Sequence, residues 1–363
     1  MTTTRLTSLL ASLALVASLT ACGGGSGGDT STSTSPPTGA GPSPTPPSGS
    51  ASAPADVVSS SGTLQTAASA LSYAASSQQA SFFNALNTAR IAAGAGAVNQ
   101  STQLDAAAQA HATYLTTNQV VAHTEDSTKP DYYEATPSSR LAKAGFSAGY
   151  STEVIGGTGP SMSAADCVLG LLNTVYHGAA LLSQETYVGI GIGTDGLGVP
   201  SCVADLANPS TDTYGQVPAS GKFIAYPHNG QTNVAETFYV AYETPRPSGT
   251  LFPNTTAGTP VIVRVRNADF LNFQHANTLS ATVTKFELKD AGGNLVPAGI
   301  LAASGLTGSG VTLNTDSQLG EGFAVLVPLS PLAKGATYTY TFTATLKVGG
   351  TPVTVTNGFT TNP

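Results

Sequence analysis

Residues 23–56 contain almost nothing but Gly, Ser, Thr and Pro. A stretch with so little apolar surface cannot offset the entropy of ordering its backbone, so it reads as a flexible spacer. Folding is thereby confined to residues 57–363, which is enough chain for two domains. A second change of pattern falls at Pro245, Pro247 and Gly249. Before it, apolar residues recur first at helical spacing and then in strand-like runs. After it, the helical period vanishes. The expected organisation is a signal segment at 1–22, the spacer at 23–56, an α+β domain at 57–245 and an all-β domain at 246–363.

In the first domain, residues 81–93 carry Phe82, Phe83, Leu86, Ala89 and Ile91 and stop at Gly94, the pattern of an amphipathic helix ended by glycine. Thr102 and Asp105 have capping-box spacing ahead of a second helix, with Leu104, Ala108, His111 and Leu115 on one face. Thr136-Pro137 opens a short helix with Gly145 just past its end. Ser163 and Asp166 cap another, running through Val168, Leu171, Leu172 and Val175 to His177. Strands are expected at 187–192, 222–226 and 238–243, with a strand-like segment at 120–123, which suits an α+β layered domain. In the second domain, 261–266, 281–288, 323–327, 337–346 and 353–360 alternate or are β-rich, and Gly292-Gly293-Asn294 suits a hairpin turn. That predicts a β-sandwich of immunoglobulin type.

Charged residues make up only 9% of the chain, with 13 Lys and Arg against 20 Asp and Glu, a net charge of −7. Without a dense basic face, nucleic acid is not an expected partner. Solubility must rest on Ser, Thr, Asn and Gln, which suits an exported protein. Arg5, the apolar run 9–19 and Leu19-Thr20-Ala21-Cys22 read as an export signal, the run being too short to span a bilayer permanently. The end of this segment resembles a bacterial lipobox, in which Cys22 is lipidated and becomes the new N-terminus. The expected partner is then a membrane, reached through acyl chains. Gly23 after the Cys, by resemblance to the sorting rules of Gram-negative bacteria, implies the outer membrane, with the folded part periplasmic or surface-exposed. With Cys22 lipidated, Cys167 and Cys202 remain as an even pair in an oxidising compartment, which predicts a disulfide.

Catalytic signatures are sparse: there is no His-Glu-x-x-His helix, no Gly-x-Ser-x-Gly elbow and no Walker loop. Gly191-Ile192-Gly193-Thr194-Asp195-Gly196 matches Gly-x-Gly-x-x-Gly, but no helix follows to meet a pyrophosphate, so it reads as a hairpin or loop. Taken singly, the other candidates are ordinary. His177 at a helix end compensates the dipole, and Glu153 before an apolar pair is a solvated strand residue. His111 is a packed histidine, Arg140 forms a structural ion pair, and His228 lies in a solvated turn. His275 has no partner nearby in sequence. Tyr132, Tyr133 and Tyr150 sit in loops that would border a groove.

Their order, however, forms a series: Asn87, Arg90 and Gly94; Leu104 through Ala112; His123; Arg140 with Gly145-Phe146; Glu153; His177 with Leu181-Leu182; and Val188-Gly189-Ile190-Gly191. Over roughly half the chain this resembles the CAP superfamily of cysteine-rich secretory proteins, antigen 5 and plant pathogenesis-related proteins, in a bacterial form. The resemblance implies an α-β-α sandwich with a cleft lined by two histidines and acidic residues, where a divalent metal such as zinc can sit. His123, Glu153 and His177 match those positions. Val154 stands where the family carries Asn, Asn173-Thr174 stands near the place of a second acid, and Leu171 replaces a bulky aromatic. Two imidazoles and a carboxylate would leave an open metal position able to activate water. The leading expectation is a cell-envelope lipoprotein that binds a lipid, glycan or peptide in the His/Glu cleft. The alternatives are a metal-dependent hydrolase using His123, Glu153 and His177, and a surface adhesion or scaffold protein.

Overall fold

The computed structural model describes residues 63–157, 162–194, 200–212, 214–273, 279–347 and 350–363. The signal segment, Cys22, the spacer and His275 lie outside them. In chain order the first half contains α1 (Gln78–Ala93), β1 (Asn99–Gln100), α2 (Thr102–Asn118), α3 (Pro137–Lys143), β2 (Ala148–Gly157), α4 (Ala164–Leu172), α5 (Tyr176–Leu181), β3 (Tyr187–Thr194) and β4 (Pro200–Pro209). The second half contains β5 (Ile224–Tyr226), β6 (Gln231–Val234), a 3-10 turn (Val240–Tyr242), β7 (Val261–Arg264), α6 (Ala268–Phe273), β8 (Ala281–Asp290), β9 (Ala298–Ala302), β10 (Leu306–Gly308), β11 (Asn314–Thr315), β12 (Phe323–Pro328), β13 (Thr337–Leu346) and β14 (Pro352–Thr361).

Local chemistry sets the helix ends. Ser77 caps α1, and Gly94 ends it at φ 80°, a left-handed conformation that glycine adopts without strain. Ser101, not Thr102, caps α2 by accepting from the Leu104 N–H. Thr136 and the reciprocal pair Ser163/Asp166 cap α3 and α4 as expected. The helix predicted to reach His177 stops at Leu172. There the Thr174 hydroxyl turns back onto the Leu171 carbonyl, and α5 starts afresh at Tyr176. His177 is therefore near the start of a helix, not at the end of one. Residues 120–123 are loop, and the short β1 takes the sheet edge instead.

The first sheet has the order β1-β3-β4-β2. Along β3, side chains alternate with glycines, and the glycines face α2. A Cβ on Gly189 would lie 2.0 Å from the Leu104 carbonyl carbon, and one on Gly191 would lie 2.1 Å from the Ala108 oxygen. The glycine run is thus a packing stripe that lets a helix backbone rest on the strand; its end at Asp195-Gly196 lies outside the described residues. On the other face Val188 and Ile190 join Phe82, Phe83 and Leu86 of α1, Val168 and Leu172 of α4, and Leu181 of α5. The result is an α-β-α sandwich. Cys167 of α4 and Cys202 of β4 are joined by a disulfide. Gly156 lies opposite Cys202, where a Cβ would come within 2.6 Å of the Cys167 sulfur.

The second half is a β-sandwich of two five-stranded sheets, β11-β9-β12-β7-β5 and β10-β8-β13-β14-β6. Val263, Val265 and Leu326 of the first meet Val283, Phe286, Leu288, Tyr340 and Phe342 of the second. Phe286 and Phe342 pack edge to face at 4.9 Å. Two expectations change here. The strand at 224–226 pairs with β7, and the segment at 231–234 pairs with β14, so both belong to the sandwich and not to the preceding domain. Residues 238–243 form a bridge from Phe238 to Ala257 and a 3-10 turn, not a strand. The division placed at 245 thus falls inside the sandwich.

The inner sheet is covered on both sides. Ile262, Leu301, Phe323, Val325 and Val327 share a core with α1, α4 and α5. Double burial explains why 261–263 and 323–327 are unbroken apolar runs rather than alternations. Residues Val57–Pro363 accordingly cluster as one compact unit.

The α2–β3 contact is open to direct test. Gly191→Ala places a methyl against backbone that no rotamer change can move, and should cost about 3 kcal/mol or more. Urea unfolding measures this, and an unchanged midpoint would mean that α2 does not rest on this strand.

Candidate functional site: a buried charge network beneath His123

Glu153 on β2 stands directly opposite Asp205 on β4. Ile155 and Val203, two residues further along these strands, pack with Ala108 and Ala112 of α2, so Glu153 and Asp205 share that face. From α2 the buried His111 reaches toward them, its Nε2 3.8 Å from Glu153 Oε1. His111 Nδ1 lies 2.8 Å from Glu125 Oε1, and its Nε2 lies 2.9 Å from the Ala122 carbonyl oxygen. The ring is thus held from both nitrogens, by a carboxylate on one side and a backbone carbonyl on the other. The Tyr133 N–H donates to the other Glu125 oxygen at 2.6 Å.

Arg140 supplies a cation. Its guanidinium is fully buried and donates to Glu153 Oε2 at 2.6 Å, to the His123 carbonyl at 3.0 Å and to the Glu134 carbonyl at 3.3 Å. It also lies 3.7 Å from Glu125 Oε1. Burial pushes the Glu153 carboxyl up, but hydrogen bonding to His123 and the charges of Arg140 and His111 outweigh it and hold Glu153 below its ordinary value. Asp205 has weaker support. It is fully buried, and burial, then the Glu153 charge and a hydrogen bond shared with Glu153, drive its carboxyl well above the usual range against the weaker pull of Arg140. Glu153 and Asp205, facing each other across two strands, are thus pushed in opposite directions by their surroundings.

His123 is where this network meets solvent. Its Nδ1 lies 2.7 Å from Glu153 Oε1 and its side chain is 47% exposed, whereas those of His111, Glu125, Arg140 and Glu153 are at most 2% exposed. Glu153 accepts from Nδ1–H, which orients the ring while about half of the side chain stays open to solvent. Beside it in the loop, Val120 and Val121 are exposed.

His177 is placed elsewhere. Its Nδ1 lies 3.4 Å from Glu243 Oε1 and 3.2 Å from the Thr174 hydroxyl. Glu243 in turn accepts the N–H groups of Val175 and Tyr176 at the start of α5, at 3.0 and 2.5 Å. Among the described residues no contact joins His177 to His123 or Glu153. The structure therefore brings together two of the three expected residues and adds His111, Glu125, Arg140 and Asp205. Asp205 carried a signal in the sequence: it is a lone carboxylate inside the apolar strand Cys202–Ala207.

The expected zinc set does not fit this arrangement. One Glu153 oxygen is engaged by His123 and the other by Arg140, and His177 is held by Glu243. Among the described residues no three His, Cys, Asp or Glu side chains converge in a metal-holding group.

Residues 83–203, from α1 to β4, match the model of the cysteine-rich secretory protein family. This segment is a CAP domain. The chain is similar to an outer surface protein from Borrelia burgdorferi (16% identity, covering 38% of this chain and 96% of that one, TM-score 0.32). It is also similar to an extracellular protein containing an SCP domain from Bacillus anthracis (19% identity, 36% of this chain and 40% of that one, TM-score 0.30). No curated protein matches the chain in sequence. The buried network lies on the α2 face of the CAP domain, apart from an apolar cleft of about 270 Å³ that opens between α1, Leu169, Tyr226 and His228.

Asp205 gives the network a pH signature. A carboxyl whose value is raised on folding favours the folded state below its ordinary range, and that contribution is lost as pH rises toward the folded value. Asp205→Asn removes the titration. The variant should match the wild type near pH 4 and exceed it at pH 7 by about 1.4 kcal/mol or more, the linkage cost of each unit by which folding raises a carboxyl. Denaturant unfolding at the two pH values checks this, and parallel pH profiles would mean that Asp205 is ionised in the fold.

Proposed function

We propose that this is a lipid-anchored envelope protein whose CAP domain binds a ligand at the His123 face. The observation that carries the reading is a half-exposed imidazole, locked by a buried carboxylate and lying next to exposed Val120 and Val121. A preorganised polar group beside apolar side chains suits an amphipathic ligand: a lipid, a glycan or a peptide offering a polar group to the ring. The export signal and Cys22 support delivery to the envelope, where the spacer would hold the folded part away from the lipid surface.

Hydrolysis is the second reading, favoured by one feature. An imidazole oriented by a carboxylate has the geometry of a general base. Among the described residues no Ser, Thr or Cys side chain bonds to His123, so water would have to serve as the nucleophile. Binding needs no such addition.

The test titrates the mature protein with phosphatidylethanolamine vesicles, a disaccharide muropeptide and a casein digest, followed by calorimetry and amide NMR. One class should bind with shifts at Val121 and His123, and His123→Ala should weaken it about tenfold, the equivalent of one good hydrogen bond. Shifts confined to other surfaces, or no binding by any of the three, would overturn the reading. Anchoring is tested separately: radiolabelled palmitate should enter the wild-type protein in a bacterial host and not the Cys22→Ala variant.

A further inference from the structure

Two aromatic side chains lie outside both major cores. Tyr239 and Tyr242 are 55% and 83% exposed, and their rings stack at 5.7 Å with planes 23° apart. The backbone builds the stack. The Tyr242 N–H bonds to the Tyr239 carbonyl at 3.0 Å, and three residues per turn set such side chains one above the other. The flanking residues point inward. Phe238 and Val240 are buried, Phe238 exchanges two backbone hydrogen bonds of 2.8 Å with Ala257, and the Ala241 N–H bonds to the Thr255 carbonyl. Glu243 is buried against the first N–H groups of α5. The rings thus stand on an anchored frame and have little freedom to lose on binding.

Their surroundings narrow the ligand. The nearest acidic residues on either side in the chain, Glu236 and Glu243, are engaged by Lys334 at 3.7 Å and by the N–H groups of Val175 and Tyr176. Among the described residues no unpaired cation beside either acid awaits an anion, and the whole chain carries a net charge of −7. Phosphorylated or sulfated ligands and anionic lipid surfaces are therefore disfavoured. The exposed neighbours in the chain, Ala241 and Thr244, are small. Two rings fall far short of the roughly 800 Å² per partner that a stable protein interface buries. What remains is a small, flat, neutral ligand with apolar faces and polar edges. A pyranose ring has that character: its axial C–H groups lie against an aromatic face while its equatorial hydroxyls reach the tyrosine hydroxyls and water. We propose that Tyr239 and Tyr242 form an aromatic platform for a neutral glycan, a surface separate from the His123 face.

The experiment titrates the mature protein with two uncharged probes, cellohexaose and the N-acetylglucosamine hexamer, by calorimetry. At least one should bind saturably. Tyr239→Ala/Tyr242→Ala should weaken binding tenfold or more, and Tyr242→Phe, which keeps the ring, should stay within about threefold. Both rings are exposed, so the double variant should melt close to the wild type, which separates a lost site from a lost fold. Absence of binding to both probes would overturn the proposal, as would binding that survives in the double variant. So would rings whose removal abolishes self-association or retention on phosphatidylglycerol vesicles instead. His123→Ala reports on the other face, so failure of either reading is seen apart from the other.

Discussion

A guanidinium taken out of water costs several kcal/mol unless acceptors meet it, and Arg140 meets them through both terminal nitrogens while its buried Nε–H finds none. It stands on α3, bonds to the carbonyls of His123 and Glu134, and closes on Glu153 of β2. Between α2 and α3 the chain has no helix or strand, and this loop carries His123. Gln119 and Asp131, at φ 53° and 57°, show how sharply it turns. What fixes it is the buried network: Arg140 on the His123 backbone, His111 on the Ala122 carbonyl and Glu125, and the Tyr114 hydroxyl accepting from the Asp126 N–H at 2.9 Å. The exposed imidazole is therefore held by charge, not by secondary structure.

A second buried arginine makes the contrast clear. Arg90 donates to the carbonyls of Ala95, Gly96, Leu181, Ser183 and Glu185, and burial lowers its value to about 10. It stitches loops together through backbone carbonyls, with the buried Glu185 carboxyl nearby favouring its charge. Arg140 instead faces a carboxylate that itself orients a half-exposed histidine. Only the second arrangement reaches the surface, because Glu153 bonds both to the buried Arg140 and to the half-exposed His123.

The CAP series of residues was legible because each member answers a local rule: Gly94 ends a helix, Thr136-Pro137 starts one, and His123 and Glu153 fall at spacings that the fold brings together. The pairing of Cys167 with Cys202 followed from parity and compartment. What stayed hidden depended on non-local packing. His177 looked like the end of one helix because nothing in sequence announces that the Thr174 hydroxyl will break it at Leu172. His111 looked like a packed residue, and it is buried; its place in the network depends on Glu125, fourteen positions away, meeting it across a loop. The strand at 224–226 was assigned to the wrong module for a related reason. A short apolar segment is compatible with either sheet, and only the inner sheet's need for an edge partner beside β7 decides it.

That inner sheet also determines how the two surfaces relate. With one face against the sandwich core and the other against α1, α4 and α5, it cannot be separated from the CAP domain without exposing apolar residues from both. Glu243 crosses the same boundary at the level of single side chains. It follows Tyr242 in the chain, lies beyond the residues that match the CAP family, and yet caps α5 and touches His177. A histidine expected to ligate metal beside His123 is thus committed to anchoring the turn that carries the tyrosines.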